Sequence, residues 1–122
     1  MKYMFVTYLD EKAWISLGEK EQQRLMAECM PHVHQLIASG KFLGGAPLEP
    51  TATGATVRLR DGKPLITDGP FAETREQIGG YTLIEAKDME EATRIAAGFL
   101  GTESPSIIEV RQVVELQGIP TH

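Results

Sequence analysis

The stretch "KYMFVTYL", residues 2–9, decides the fold. Aromatic and β-branched residues dominate it, so it reads as a strand. Apolar side chains occupy both of its faces, with Tyr3 and Phe5 on one and Met4, Val6 and Tyr8 on the other. A strand of this kind runs through the middle of a sheet that is covered from both sides. The rest of the chain must account for two covers.

Downstream, "DEKAWISLG" reads as a short helical turn closed by Gly18, and a long helix follows from Glu19 to Ser39, stopped by Gly40. Leu25, Met26, Cys29, Met30, Val33, Leu36 and Ile37 recur along it at helical spacing, an amphipathic stripe centred near Val33 and Met26. Pro31 inside this pattern removes one backbone donor and predicts a bend. "KFLGGAPLEP" then reads as a short strand with a glycine-softened middle, and "TATGA" as a loop.

In "TVRLRDGKPLIT", residues 56–67, alternating segments flank Asp61-Gly62. That dipeptide suits a two-residue type I′ hairpin. A strand from Ile78 to Glu85 and a helix "DMEEATRIAAGFL" follow, with Asp88 as N-cap and Glu91 three residues on, the capping-box spacing. The last strand, "SIIEVRQVVEL", puts Ile108 and Val110 on one face and Glu109 and Arg111 on the other.

The order is β–α–β, hairpin, β–α–β. It predicts an α+β, ferredoxin-like sandwich: an antiparallel sheet with two helices on one face and an inserted β-hairpin. The helices cover one side of residues 2–9. A second copy of the chain, sheet against sheet, is the natural cover for the other, so a homodimer is expected.

Composition narrows the classes of function. The 122 residues, 42% hydrophobic and 24% charged, suit a single domain spanning 1–122. A domain of this size buries about two-thirds of its unfolded surface and needs no metal or disulfide staple. The net charge is −5, and Lys41, Arg58, Arg60, Arg75, Arg94 and Arg111 are dispersed, which argues against nucleic-acid binding. Cys29 is the single cysteine, so the reading is a reducing compartment, the cytoplasm. No segment resembles a secretory leader or a membrane span.

Residues 64–86, "PLITDGPFAETREQIGGYTLIEA", are the least ordinary part of the chain. Asp68, Gly69, Pro70 and Phe71 sit side by side between two strands. As a turn they are explicable: Asp bonds back to its own backbone, Gly supplies a positive φ, Pro fixes the next φ, and Phe71 plugs the core beneath. A simple turn needs only two residues, however, and this one continues into "AETREQIGG" with Glu73, Arg75, Glu76 and Gln77. A long polar loop clamped by a rigid centre is a usual way to place function on a scaffold.

At "TDGPFAETREQIGGYTLIEAKDMEEA" the sequence resembles the YCII-related family, in its DGPF branch. "MKYMFVTYLDEKAW", "ASGKFLGGAPLEP" and "IIEVRQV" match that family in order and spacing, so the resemblance covers nearly the whole chain. It implies a dimeric ferredoxin-like fold of the dimeric α/β-barrel type. Relatives include cofactor-free enzymes acting on small cyclic compounds, many DGPF proteins without an assigned reaction, and proteins found beside sigma factors. The wider family carries a functional histidine on the first long helix, which falls near Cys29 here.

Two readings of function follow. A cofactor-free lyase or isomerase would use His32 or His34 as base and Asp68 as orienter or acid, with no metal. On the helical wheel the two histidines flank the stripe on opposite edges, and the bland alternative is an imidazole lying at a helix edge. Gly69, Pro70, Phe71, Gly44 and Gly45 would line the ligand site, the glycines permitting close backbone approach. The other reading is a non-catalytic dimeric module that binds a small molecule or a basic regulatory partner such as a sigma-factor segment. Cys29, on the stripe beside Glu28, reads as a buried structural residue.

Overall fold

A computed structural model describes residues 1–121, so His122 lies outside the described residues. Strand β1, Lys2–Leu9, leads through the short helix α1, Glu11–Ser16, into α2, Glu19–Ala38. Strand β2, Phe42–Pro47, a 3-10 turn at Thr51–Thr53 and the strands β3, Ala55–Arg60, and β4, Lys63–Asp68, come next. The chain closes with β5, Gln77–Glu85, α3, Met89–Leu100, and β6, Ile107–Gln112.

The main sheet has the order β2-β5-β1-β6, and all neighbours are antiparallel. This is the ferredoxin-like arrangement that the element order predicts, with the β3–β4 hairpin as a separate two-stranded sheet. β1 is central: Phe5 lies opposite Thr82 on one side and Val110 on the other. Because side chains alternate along a strand, Tyr3, Phe5, Ile84, Ile108 and Val110 share one face. That face, with Leu36 of α2 and Ala92, Ile95 and Ala96 of α3, forms the core. Two alanines there let α3 lie close to the sheet, and Phe99 meets Phe5 edge to face at 5.8 Å.

The helix ends follow local chemistry. The Asp88 carboxylate accepts from the Glu91 backbone N–H at 2.9 Å, as the capping spacing predicts. The reciprocal bond from Glu91 reaches the Lys87 N–H, one residue before the cap, at 3.1 Å. At the hairpin, Asp61 and Gly62 take φ of 53° and 78°, the two positive values that a type I′ turn requires.

Three expectations need correction. The residues turned inward on α2 are Leu25, Cys29, His32, Val33 and Leu36, so the stripe is rotated from the expected centre. Met26, Met30 and Ile37 are exposed. The reason is tertiary: α3 crosses beside the Cys29–Leu36 row, and a 20-residue helix has more apolar surface than one neighbour covers. Cys29 is only partly buried, its thiol donating to the Met26 carbonyl at 3.1 Å. The loop at 51–55 holds a 3-10 turn, and its last residue already belongs to β3.

The second face of the main sheet carries Met4, Val6, Tyr8, Tyr81, Leu83 and Ile107 together with Lys2, Glu85, Glu109 and Arg111, the last two opposite Val6 and Met4. The core helices α2 and α3 pack on the opposite face, and here Tyr81 and Ile107 are 44% and 53% exposed while Leu83 is buried. Val57, Leu59 and Ile66 of the hairpin are exposed as well.

Candidate functional site

The DGPF segment is built as a clamped loop. Gly69, at φ 82°, occupies a conformation that a side chain would strain. Its N–H donates to the Gly54 carbonyl and its own carbonyl accepts from the Thr56 hydroxyl, both at 2.8 Å. Further along, the Gln77 amide donates to the carbonyls of Ala72 (2.9 Å) and Thr74 (3.1 Å), holding the loop against the start of β5. Pro70, between these anchors, is rigid by its ring.

Two other segments reach the same place. Asp10, just past β1, accepts from the Ala13 N–H as the N-cap of α1 and from Arg75 Nε, each at 3.1 Å. Glu11 accepts from the backbone N–H of Thr51, at 2.9 Å, and from its hydroxyl. The end of β1, the 3-10 turn and the DGPF loop are thus tied into one wall. They enclose an open cleft of about 660 Å³ whose charged lining is Asp10, Glu11, Asp68, Glu73, Lys12 and Arg75. On the other side of Gly69-Pro70 lies a smaller cavity of about 330 Å³, lined by Leu48, Pro50, Ala55 and Ile78.

The Ala13 N–H, and then the Arg75 guanidinium, hold the Asp10 carboxyl below its ordinary range. A folded-state value below the unfolded one means that this carboxylate supports the fold at neutral pH. The support is lost as pH falls below about 4 and through the depressed folded value. Glu21, bonded to Arg24, and Glu91, bonded to the Lys87 N–H, act in the same direction. Urea midpoints measured from pH 7 to pH 3 are expected to fall on the acid side. Asp10→Asn, which still caps α1 but cannot pair with Arg75, is expected to make that fall shallower.

Of the residues read from the sequence, Asp68, Gly69 and Pro70 line the cleft. Phe71 does not plug the core: it lies in the loop between β4 and β5 and is 81% exposed. Gly44 and Gly45 lie on β2 opposite Leu83 and Thr82 and line neither cavity. A Cβ on Gly45 would stand 2.6 Å from the Tyr81 carbonyl oxygen, so this glycine serves the close approach of two strands.

The histidines lie elsewhere. His32 packs between α2 and α3, edge to face on Phe99 with ring centroids 5.0 Å apart, and its Nε2–H donates to the Ile95 carbonyl at 2.9 Å. A Cβ on Gly98 would meet that ring at 2.5 Å, so the imidazole fills the space that glycine leaves. Gly98→Ala is therefore expected to cost about 1–2 kcal/mol, overpacking outweighing the better helix propensity of alanine. In denaturant titrations the double variant with His32→Ala should cost less than the sum of the single changes, because the clash is gone. His34 is exposed on α2. Neither histidine lines either cavity, so the structure does not bring them to Asp68.

Sequence reasoning passed over Asp10, Glu11, Lys12 and Thr51 as site residues. A signal was present for the first two: adjacent carboxylates directly after the central strand, at the sheet end where β5 begins. Among the described residues no group of three or more His, Cys, Asp or Glu could hold a metal ion, and no helix is long and apolar enough to cross a membrane.

Fold and cleft together define a ferredoxin-like α+β domain with an inserted hairpin and a clamped polar loop at one end of its sheet. The sequence profile of the YCII-related domain matches residues 1–117, and the chain belongs to that family. It is also 34% identical over 106 residues to a protein of Rhizobium meliloti described only as uncharacterised. That match covers 87% of this chain and 85% of the relative.

Proposed function

We propose that the protein is a homodimeric ligand-binding module whose site is the cleft at the DGPF loop. The observation that carries this reading is the cleft itself. Three segments far apart in sequence are tied by Asp10–Arg75 and Glu11–Thr51 bonds into a preformed concavity, with Asp68 and Glu73 on its walls. Its volume of about 660 Å³ lies within the usual range for small-molecule sites. Lyase or isomerase chemistry with a histidine base needs an imidazole within hydrogen-bond reach of a carboxylate. Among the described residues neither His32 nor His34 has such a partner. A sigma-factor segment as partner draws on the family resemblance and the net charge of −5, with no feature of the cleft behind it.

In this proposal two protomers meet through the open faces of their sheets, the dimeric α/β-barrel arrangement. The face offers Tyr81 and Ile107 exposed, with Met4 and Val6 half-buried beside them.

The test is a fragment screen read by amide chemical shifts on the full chain. Shifts at Thr51, Gly69 and Arg75 that weaken in Asp68→Asn are expected. Binding confined to other surfaces, or no binding from a diverse set, would overturn the reading.

A further inference from the structure

The two cavities share Thr51, Gly69 and Pro70, so one clamped ridge is a wall of both. Their chemistry differs. The smaller is mainly apolar, presenting Leu48, Pro50, Ala55 and Ile78 with the single carboxylate of Glu49, and both Leu48 and Ile78 are exposed in it rather than packed away. It is a shallow depression of about 330 Å³, open to solvent and wide enough to seat one ring against its apolar floor.

The larger cleft has four carboxylates against two cations, a net lining charge of −2. Asp10 and Glu11 are committed to Arg75, the α1 N-terminus and Thr51. Asp68, Glu73 and Lys12 have no ion pair or side-chain hydrogen bond among the described residues. Two carboxylates against one ammonium therefore remain to meet a ligand. A concave wall of one net sign concentrates ligands of the other sign. Because the ridge is held by the bonds of Gly69, little ordering cost attends binding across it.

We propose that the two cavities form one composite site for a small amphipathic amine. Its single ring or short branched apolar group lies against Leu48 and Ile78, and its ammonium group lies on the far side of Gly69-Pro70, facing Asp68 and Glu73. This rests on the cleft reading above and adds to it the class of ligand.

Three probes of the same shape and different head group test it: 2-phenylethylamine, 2-phenylethanol and phenylacetate, titrated into the full chain at neutral pH. Calorimetry supplies affinities and amide shifts supply the location. The amine is expected to bind at least about tenfold tighter than the alcohol, which is roughly 1.4 kcal/mol, and phenylacetate weakest of all. Shifts should appear together at Ala55 and Ile78 and at Asp68 and Gly69. Asp68→Asn should remove most of the preference for amine over alcohol, and Leu48→Gln should weaken both. Both positions are exposed, so folded variants are expected, verified by unchanged amide dispersion.

Equal binding of amine and alcohol, tighter binding of phenylacetate, or shifts in only one cavity would overturn the composite amine site while the ligand-binding reading stands. The same holds if none of the three binds but other fragments enter the cleft. If no fragment enters it, both readings fall.

Discussion

Phe5→Ala is expected to remove about 3–5 kcal/mol of folding stability, the range for deleting a large buried aromatic. Phe5 is fully buried at the middle of the central strand, paired with Thr82 on one side and Val110 on the other. Its ring also meets Phe99 edge to face, so the substitution opens a void under α3 as well as within the sheet. A central strand between two others cannot move inward to fill that void, which puts the cost toward the upper end. Domains of this size have only about 5–15 kcal/mol in total, and the melting temperature should fall by roughly 10–20 °C. Thermal and urea unfolding followed by circular dichroism measure this directly. A loss below about 1 kcal/mol would mean that α3 is not seated on Phe5 and that the core is assigned to the wrong face.

In the proposed assembly, Tyr81→Glu is expected to convert the dimer into a monomer with little change in the stability of the fold. Tyr81 stands on the face opposite Phe5, across from Val6 and beside Met4 and Leu83, and it is not buried by its own chain. A stable interface commonly covers about 800 Å² on each partner, and this is the sheet face away from the core helices, apolar along β1 and β5 and charged at Glu109 and Arg111 of β6. A glutamate at its centre would place an unpaired carboxylate in the joint, a penalty of several kcal/mol per buried ion. The dissociation constant should rise at least about 100-fold, which is roughly 2.7 kcal/mol. Light scattering coupled to size-exclusion chromatography, with sedimentation for the constant, separates the outcomes. Ile37→Glu, on the exposed side of α2, should leave assembly unchanged. A wild-type chain that is monomeric at micromolar concentration would refute the assembly. A dimer that survives Tyr81→Glu would move the contact to the exposed hairpin residues Val57, Leu59 and Ile66.

The two experiments probe opposite faces of one sheet, and the apolar character of both faces of its central strand was legible in "KYMFVTYL". The hairpin and the α3 cap were equally readable. Asp61-Gly62 and Asp88-x-x-Glu91 act through bonds and dihedrals within a few residues, and those are written locally in the chain. The DGPF loop around Asp68 was legible as more than a turn for the same reason: it is local, and its length exceeds what a turn needs.

The rest was decided at longer range. Phe71 reads as a core plug because it is aromatic, yet only the direction in which the clamped loop leaves Pro70 determines that it points outward. His32 lies on the edge of a helical wheel, but its role is set by the gap at Gly98, 66 residues further along, and by the Ile95 carbonyl. The cleft depends on Asp10 meeting Arg75 across a separation of 65 residues and on Glu11 meeting Thr51 across 40. By itself, then, the sequence determined the strands, the helices, the turn chemistry and the family. Each of these is carried by backbone preference and side-chain periodicity over a few residues. Only the tertiary structure decided which polar side chains share a cavity and which histidine is merely packed. Those outcomes depend on where the β2-β5-β1-β6 sheet brings distant loops together, and no local pattern encodes that distance.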